Sequence, residues 1–263
     1  GLRVTFSRKL RKENLVADFS SQGPTPDDTF KPEISAPGTN TFTTAPQNQY
    51  TYGFGGTSGA TPFVCGSTAL LKQLHPDWTP EDVKASLMNN AFIMINPNNN
   101  LPFSWTDQGS GRVDVYKSAT TPILIKPYSI FIKDKEGKID VKIKNLLNND
   151  LEIKVSSNLI SSITGITFDY FDKEENIKIK GKEEITIPFH YKVDDKTPEG
   201  YYDAILYFKA SDRTLHVPII FKKGIPKVPS KVLEILSVEP IKFSPDGDGI
   251  NDTVKFKFKL NYG

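Results

Sequence analysis

The chain has 263 residues, and its 33 Lys and Arg against 31 Asp and Glu leave a formal charge of +2. That balance excludes the basic signature of a nucleic-acid binder. The length allows two domains or slightly more, one cysteine excludes an internal disulfide framework, and no apolar run approaches the roughly 20 residues that span a bilayer.

The opening "GLRVTF" reads as a strand and begins with Gly1, not Met. We expect both chain ends to be cuts in a larger protein, so a missing targeting signal carries no information. The run Arg8-Lys9-Leu10-Arg11-Lys12 reads as a solvated loop or strand edge. The composition up to about residue 120 is dense in Gly, Pro, Ser and Thr and holds two helical patterns. The first spans Thr57–Gln73, with Pro62 expected in its first turn or so, where a missing N–H is tolerated. Val64, Leu70, Leu71 and Leu74 with small residues between them read as a buried helix, and Cys65 as a small core residue. The second spans Thr79–Ala91. Thr79 is expected as its N-cap, Pro80 as its first helical residue and Asp82 as the partner three residues on.

After residue 120, apolar and charged residues alternate at a period of two, the mark of half-buried strands. Ile139, Val141 and Ile143 form one such run, and Leu151, Ile153 and Val155 the next. Ile185, Ile187, Phe189 and Tyr191 follow. "YYDAILYFKA" and "TLHVPIIF" flank a turn at Ser211-Asp212-Arg213. Strands of this spacing predict a β-sandwich of about 100 residues, able to fold by itself. His190 and His216 fall on these strands and read as surface or rim residues, not metal ligands. "KKGIPKVPSK", at 222–231, reads as a linker. "VLEILSVEP" and "TVKFKFKL" then open a third β module.

Two stretches carry chemistry. The first is Gly55-Gly56-Thr57-Ser58-Gly59-Ala60-Thr61-Pro62. A serine is a weak nucleophile unless a base takes its proton. A helix N-terminus adds unpaired N–H groups and a dipole that favours negative charge. The bland alternative is that Thr57 or Ser58 merely caps the helix. The second stretch is "FSPDGDGINDT". Asp246, Asp248 and Asp252 are oxygen ligands suited to Ca²⁺, while Asp-Gly pairs equally suit a tight turn.

Four ordered segments between about residues 15 and 119 resemble the subtilisin-like serine proteases. "GGTSGATPFVCGSTALL" is similar to the family's Gly-Thr-Ser-x-Ala-x-Pro nucleophile segment, with Gly59 where the family usually has Met. "DFSSQGPTPDDTFKPEISAPGTN", "HPDWTPEDVKASL" and "GSGRVDVYKSA" resemble flanking segments of the same domain. The resemblance implies an α/β fold: residues 1–120 as the C-terminal portion of a three-layer catalytic domain. It also implies a fibronectin-type-III-like sandwich at 121–222 and the start of an immunoglobulin-like module at 223–263, as in cell-envelope proteinases. Ser58 is then the nucleophile and its N–H an oxyanion donor. Gly55, Gly56 and Thr57 contact the substrate, and the segment from Gln49 to Gly56 forms part of the substrate-side wall. No cofactor is needed for catalysis, and Ca²⁺ is expected at most as a structural ion. The partners implied are a polypeptide substrate and an upstream fragment of the same precursor.

The family orders its triad Asp, His, Ser, and its Asp and His segments do not occur in this chain. His75 lies 17 residues beyond Ser58, about 25 Å along a helix, so the base is expected upstream. The implied protein is secreted or held at the cell surface. Two rival readings are an inactive subtilase-derived scaffold that only binds and, for residues 121–263, an adhesion module.

Overall fold

The computed structural model describes residues 14–161, 165–170, 174–224, 233–239 and 253–260. They divide between two compact units, one ending at Gly224 and a smaller one after it.

The larger unit opens in extended loops up to a hairpin of β1 (Thr41–Ala45) and β2 (Gln49–Phe54). Helix α1 (Thr57–Leu74) follows directly. Its neighbour α2 (Pro80–Asn89) starts as its sequence demands: Thr79 accepts from the Asp82 N–H, and the Asp82 carboxylate accepts from the Thr79 N–H at 2.9 Å. That capping box satisfies two otherwise orphaned donors. Two short helices, α3 (Trp105–Gln108) and α4 (Val115–Ala119), complete this part. Leu71, Trp78, Val83, Ala85, Leu87 and Val113 form its core.

Among the described residues nine strands follow: β3 (Ile123–Lys126), β4 (Ile130–Ile132), β5 (Glu136–Asn145), β6 (Leu151–Leu159), β7 (Ile166–Phe168), β8 (Glu175–Ile179), β9 (Glu184–Val193), β10 (Gly200–Ala210) and β11 (Arg213–Lys223). They make a four-stranded sheet in the order β3-β5-β9-β7 and a five-stranded sheet in the order β4-β11-β10-β6-β8. Pairing is antiparallel except between β4 and β11. Residues from both sheets share one hydrophobic cluster that includes Ile143, Ile153, Phe189, Leu206, Phe208 and Val217. In β5, β6 and β9 the expected alternation is present: every second residue turns inward and the rest face solvent. Asp212 and Ser211 make the turn between β10 and β11, with Arg213 already paired to Ala210.

The middle of β10 and β11 is buried on both faces. The inward residues fill the shared core. The outward residues Ile205 and Ile220 pack with Phe30, Met88 and Trp105 from the preceding part of the chain. Asn89, at the end of α2 and fully buried, joins both sheets: its Oδ1 accepts from the Ile125 N–H at 3.0 Å and its Nδ2 donates to the His216 carbonyl at 3.3 Å. Lys222 and Lys133 close on Asp28 at 2.6 and 3.1 Å. In the smaller unit, β12 (Leu233–Glu239) pairs antiparallel with β13 (Lys255–Leu260).

Four expectations are corrected. Cys65 is exposed, not a core residue. In α1 only Gly59, Ser67 and Leu71 are buried, while Phe63, Leu70 and Leu74 are 46, 54 and 62% exposed. The apolar composition that suggested a buried helix lies largely on a face that these residues do not cover. Pro62 is the sixth residue of α1, so it withholds an N–H from the Ser58 carbonyl one turn back. His216 is fully buried, because the outer face of β11 is covered.

Candidate active site

Ser58 is the second residue of α1 and is exposed. The N-cap is Gly56, and no side chain makes a capping hydrogen bond there. Neither Thr57 nor Ser58 is therefore the cap. The Gly59 N–H donates to the Gly56 carbonyl at 2.9 Å, and the Thr57 and Ser58 N–H groups make no hydrogen bond among the described residues. Gly56 has φ of 103°, a conformation that favours glycine. Its N–H donates to the Gly38 carbonyl at 2.7 Å. A Cβ on Gly38 would sit 2.8 Å from the Gly56 oxygen, so glycine is required for the two backbones to touch. Gly55 and Thr57 are exposed beside Ser58, and Gly56 is half-buried. The β1–β2 hairpin ends at Phe54, whose ring covers Gly59. On one hairpin face Phe42 stacks on Tyr50 at a centroid separation of 5.2 Å and meets the tilted ring of Tyr52 at 4.5 Å.

None of the three histidines is brought to Ser58 by its element. His75 caps the opposite end of α1, stacks on Trp78 at 3.9 Å and lies 2.8 Å from the Ala119 carbonyl. His190 is exposed on β9, where its Nδ1 lies 2.7 Å from Asp169. His216 is on β11, with Nε2 2.8 Å from the Ser110 carbonyl. A carbonyl only accepts, so Nε2 carries the proton. Burial pushes the pKa of His216 down to about 4, and the Ser110 carbonyl only partly opposes the shift.

Sequence reasoning missed the acid opposite Trp105. Asp203, on the outer face of β10, is pushed up to about 6, chiefly by burial. The Ser104 hydroxyl and the Trp105 N–H pull it down, and Asp107 raises it further. Its position in "YYDAILYF" as the one charged residue of an apolar run was the available signal.

Asp246, Asp248 and Asp252 lie outside the described residues. Among the described residues no group of three or more His, Cys, Asp or Glu side chains could hold a metal, and no helix is long and apolar enough to cross a membrane.

Residues 8–119 match the subtilase family. The minor extracellular protease Vpr of Bacillus subtilis (strain 168) is 30% identical over 251 residues, 87% of this chain and 30% of that protein. The PIII-type proteinase of Lactococcus lactis subsp. cremoris (strain SK11) is 34% identical over 175 residues, 59% of this chain and 9% of the relative. The subtilisin-like protease SBT3.10 of Arabidopsis thaliana is 42% identical over 100 residues, 35% of this chain and 13% of the relative. The chain thus spans less than a third of each of these relatives. The matched segment, the order of its motifs and the presentation of Ser58 at a helix start agree: the chain belongs to the subtilase family through residues 8–119.

Proposed function

We propose that this chain is the nucleophile-bearing part of a secreted or cell-surface serine endopeptidase. The observation that carries the reading is the exposed, uncapped start of α1, with Ser58 as its second residue and glycines on either side. Ser58 Oγ attacks the scissile carbonyl, and the Ser58 N–H receives the developing oxyanion. A histidine from upstream polypeptide takes the proton and returns it to the leaving amine, and an upstream aspartate orients that histidine. Water then hydrolyses the acyl-enzyme. The exposed apolar residues Phe63, Leu70 and Leu74 support cover of α1 by polypeptide outside this chain. On this reading the paired sheets are the fibronectin-type-III-like sandwich that follows the catalytic domain.

The test is a fluorophosphonate probe applied to the protein carrying the upstream Asp and His segments. Ser58 is expected to be labelled, and Ser58→Ala to abolish labelling and lower kcat by about 10⁶-fold, the loss that follows removal of a triad serine in subtilisin. The 263-residue chain alone is expected to hydrolyse no peptide. Undiminished labelling in Ser58→Ala overturns the assignment, and absent labelling in the parent leaves the scaffold that only binds.

A further inference from the structure

His216 stands out in β11. It lies between Leu215 and Val217 in the run "LHVPIIF", with 3% of its surface exposed. Its ring does not face the shared core of the two sheets. It faces outward, stacked near Trp105 at a centroid distance of 6.3 Å, and donates through Nε2 to the Ser110 carbonyl.

What Ser110 holds in turn is the backbone that supports Ser58. The Ser110 N–H donates to the Glu33 carbonyl at 3.0 Å. One residue on, the Gly111 carbonyl accepts from the Ser35 N–H at 2.8 Å, and the Val113 N–H donates to the Ser35 carbonyl at 2.8 Å. The Ser35 hydroxyl closes the ladder on the Gln108 carbonyl at 2.9 Å. The fit leaves no room: a Cβ on Gly109 would sit 2.6 Å from the Glu33 carbonyl carbon. The chain then runs from Ser35 through Ala36 and Pro37 to Gly38, and Gly38 touches Gly56 backbone to backbone.

We propose that His216 is a positioning residue for Ser58, acting through Ser110, the Glu33–Gly38 segment and the Gly56 turn. The inference rests on the reading of Ser58 as nucleophile, and it assigns the second half of this chain a part in presenting that nucleophile. A hydrogen-bond donor is required at position 216 because an apolar residue of equal size would leave the buried Ser110 carbonyl without one. The segment has little polar slack, since the Ser110 hydroxyl already has no partner among the described residues. Trp105 holds the same segment at its start by donating to the Ala204 carbonyl. A serine nucleophile is sensitive to such support because a displacement of about 1 Å costs on the order of 100-fold in rate.

The experiment compares the parent with His216→Phe, which keeps a ring and loses the donor, and His216→Gln, which keeps an N–H donor. Two quantities are read well below each variant's melting temperature. The first is amide hydrogen exchange at Gly56 in the 263-residue chain, which needs no catalysis. The second is the rate of Ser58 acylation, with kcat and KM, in the protein that carries the upstream segments. His216→Phe is expected to speed Gly56 exchange and to lower acylation and kcat by about tenfold at unchanged KM. His216→Gln is expected to recover most of both. Unchanged exchange and kcat in folded His216→Phe overturn the proposal, as does an equal loss in both variants. If His216→Phe does not fold, Trp105→Phe loosens the same segment and is read in the same way. A parent that never labels removes the nucleophile reading while the exchange measurement still decides the coupling.

Discussion

The indole Nε1 of Trp105 donates to the Ala204 carbonyl at 2.8 Å, with both residues fully buried. A residue of α3 thereby supplies a donor to the central strand of a sheet that begins far along the chain. Strand β10 spends its N–H and C=O groups on β6 and β11, so this contact marks the outer face of the sheet as an interior surface.

Trp105→Phe is expected to lower the stability of the larger unit by about 2–4 kcal/mol, from the loss of the buried indole hydrogen bond and a partly empty site. Denaturant unfolding of parent and variant checks this. A change within about 0.5 kcal/mol, typical of a surface site, would show that the contact contributes little.

The two sheets of segment 121–222 share a core of their own, although the segment lies in one compact unit with the residues before it. Cut from the chain, it would uncover Ile205 and Ile220 and lose the Asn89 bonds to Ile125 and His216. It is expected to keep a β-type circular dichroism spectrum, to melt cooperatively at a lower temperature than the whole chain, and to self-associate. Sedimentation and thermal melting of both proteins test this. An unchanged melting temperature in a monomeric segment would show that the covered face is dispensable.

Asp203 and His216 give the unit two opposed acid responses. Asp203 has a folded pKa of about 6 against an ordinary 3.8, so the folded state binds its proton first and this group adds stability as pH falls from about 6 to 3.8. His216 has a folded pKa of about 4 against an ordinary 6.5, so the unfolded state binds its proton first and stability is lost as pH falls from 6.5 to about 4. Asp203→Asn is therefore expected to stabilise relative to the parent more at pH 8 than at pH 4, by on the order of 2–3 kcal/mol. His216→Gln should show the opposite trend, gaining on the parent as pH falls from 7 to 4. Melts at unit intervals between pH 4 and 8 give both differences, and parallel profiles for the three proteins would remove the paired titration.

Gly38→Ala places a methyl 2.8 Å from the Gly56 carbonyl oxygen and 3.3 Å from Ala60 Cβ. Backbone must move on one side, and overpacking of this kind costs about 1–3 kcal/mol. The shift falls where Ser58 is presented, so in the protein that carries the upstream segments kcat is expected to fall further than stability alone explains. Normal acylation of Ser58 in folded Gly38→Ala would show that the contact does not position the serine.

Local chemistry by itself determined much of this protein. Thr79, Pro80 and Asp82 set the start of α2 because a capping box needs only residues three apart. The alternation in β5, β6 and β9 set their inward faces because successive side chains of a strand point to opposite sides. Gly56-Thr57-Ser58 set the start of α1. Which surfaces another part of the chain covers was decided only in three dimensions. The period of a strand tells its two faces apart but does not say that Phe30, Met88 and Trp105 close over Ile205, Ile220 and His216. The composition of α1 likewise carries no record of what lies against Phe63, Leu70 and Leu74. Burial is a property of pairs of surfaces distant in sequence, so His216 and Cys65 were read the wrong way round while the elements that hold them were read correctly.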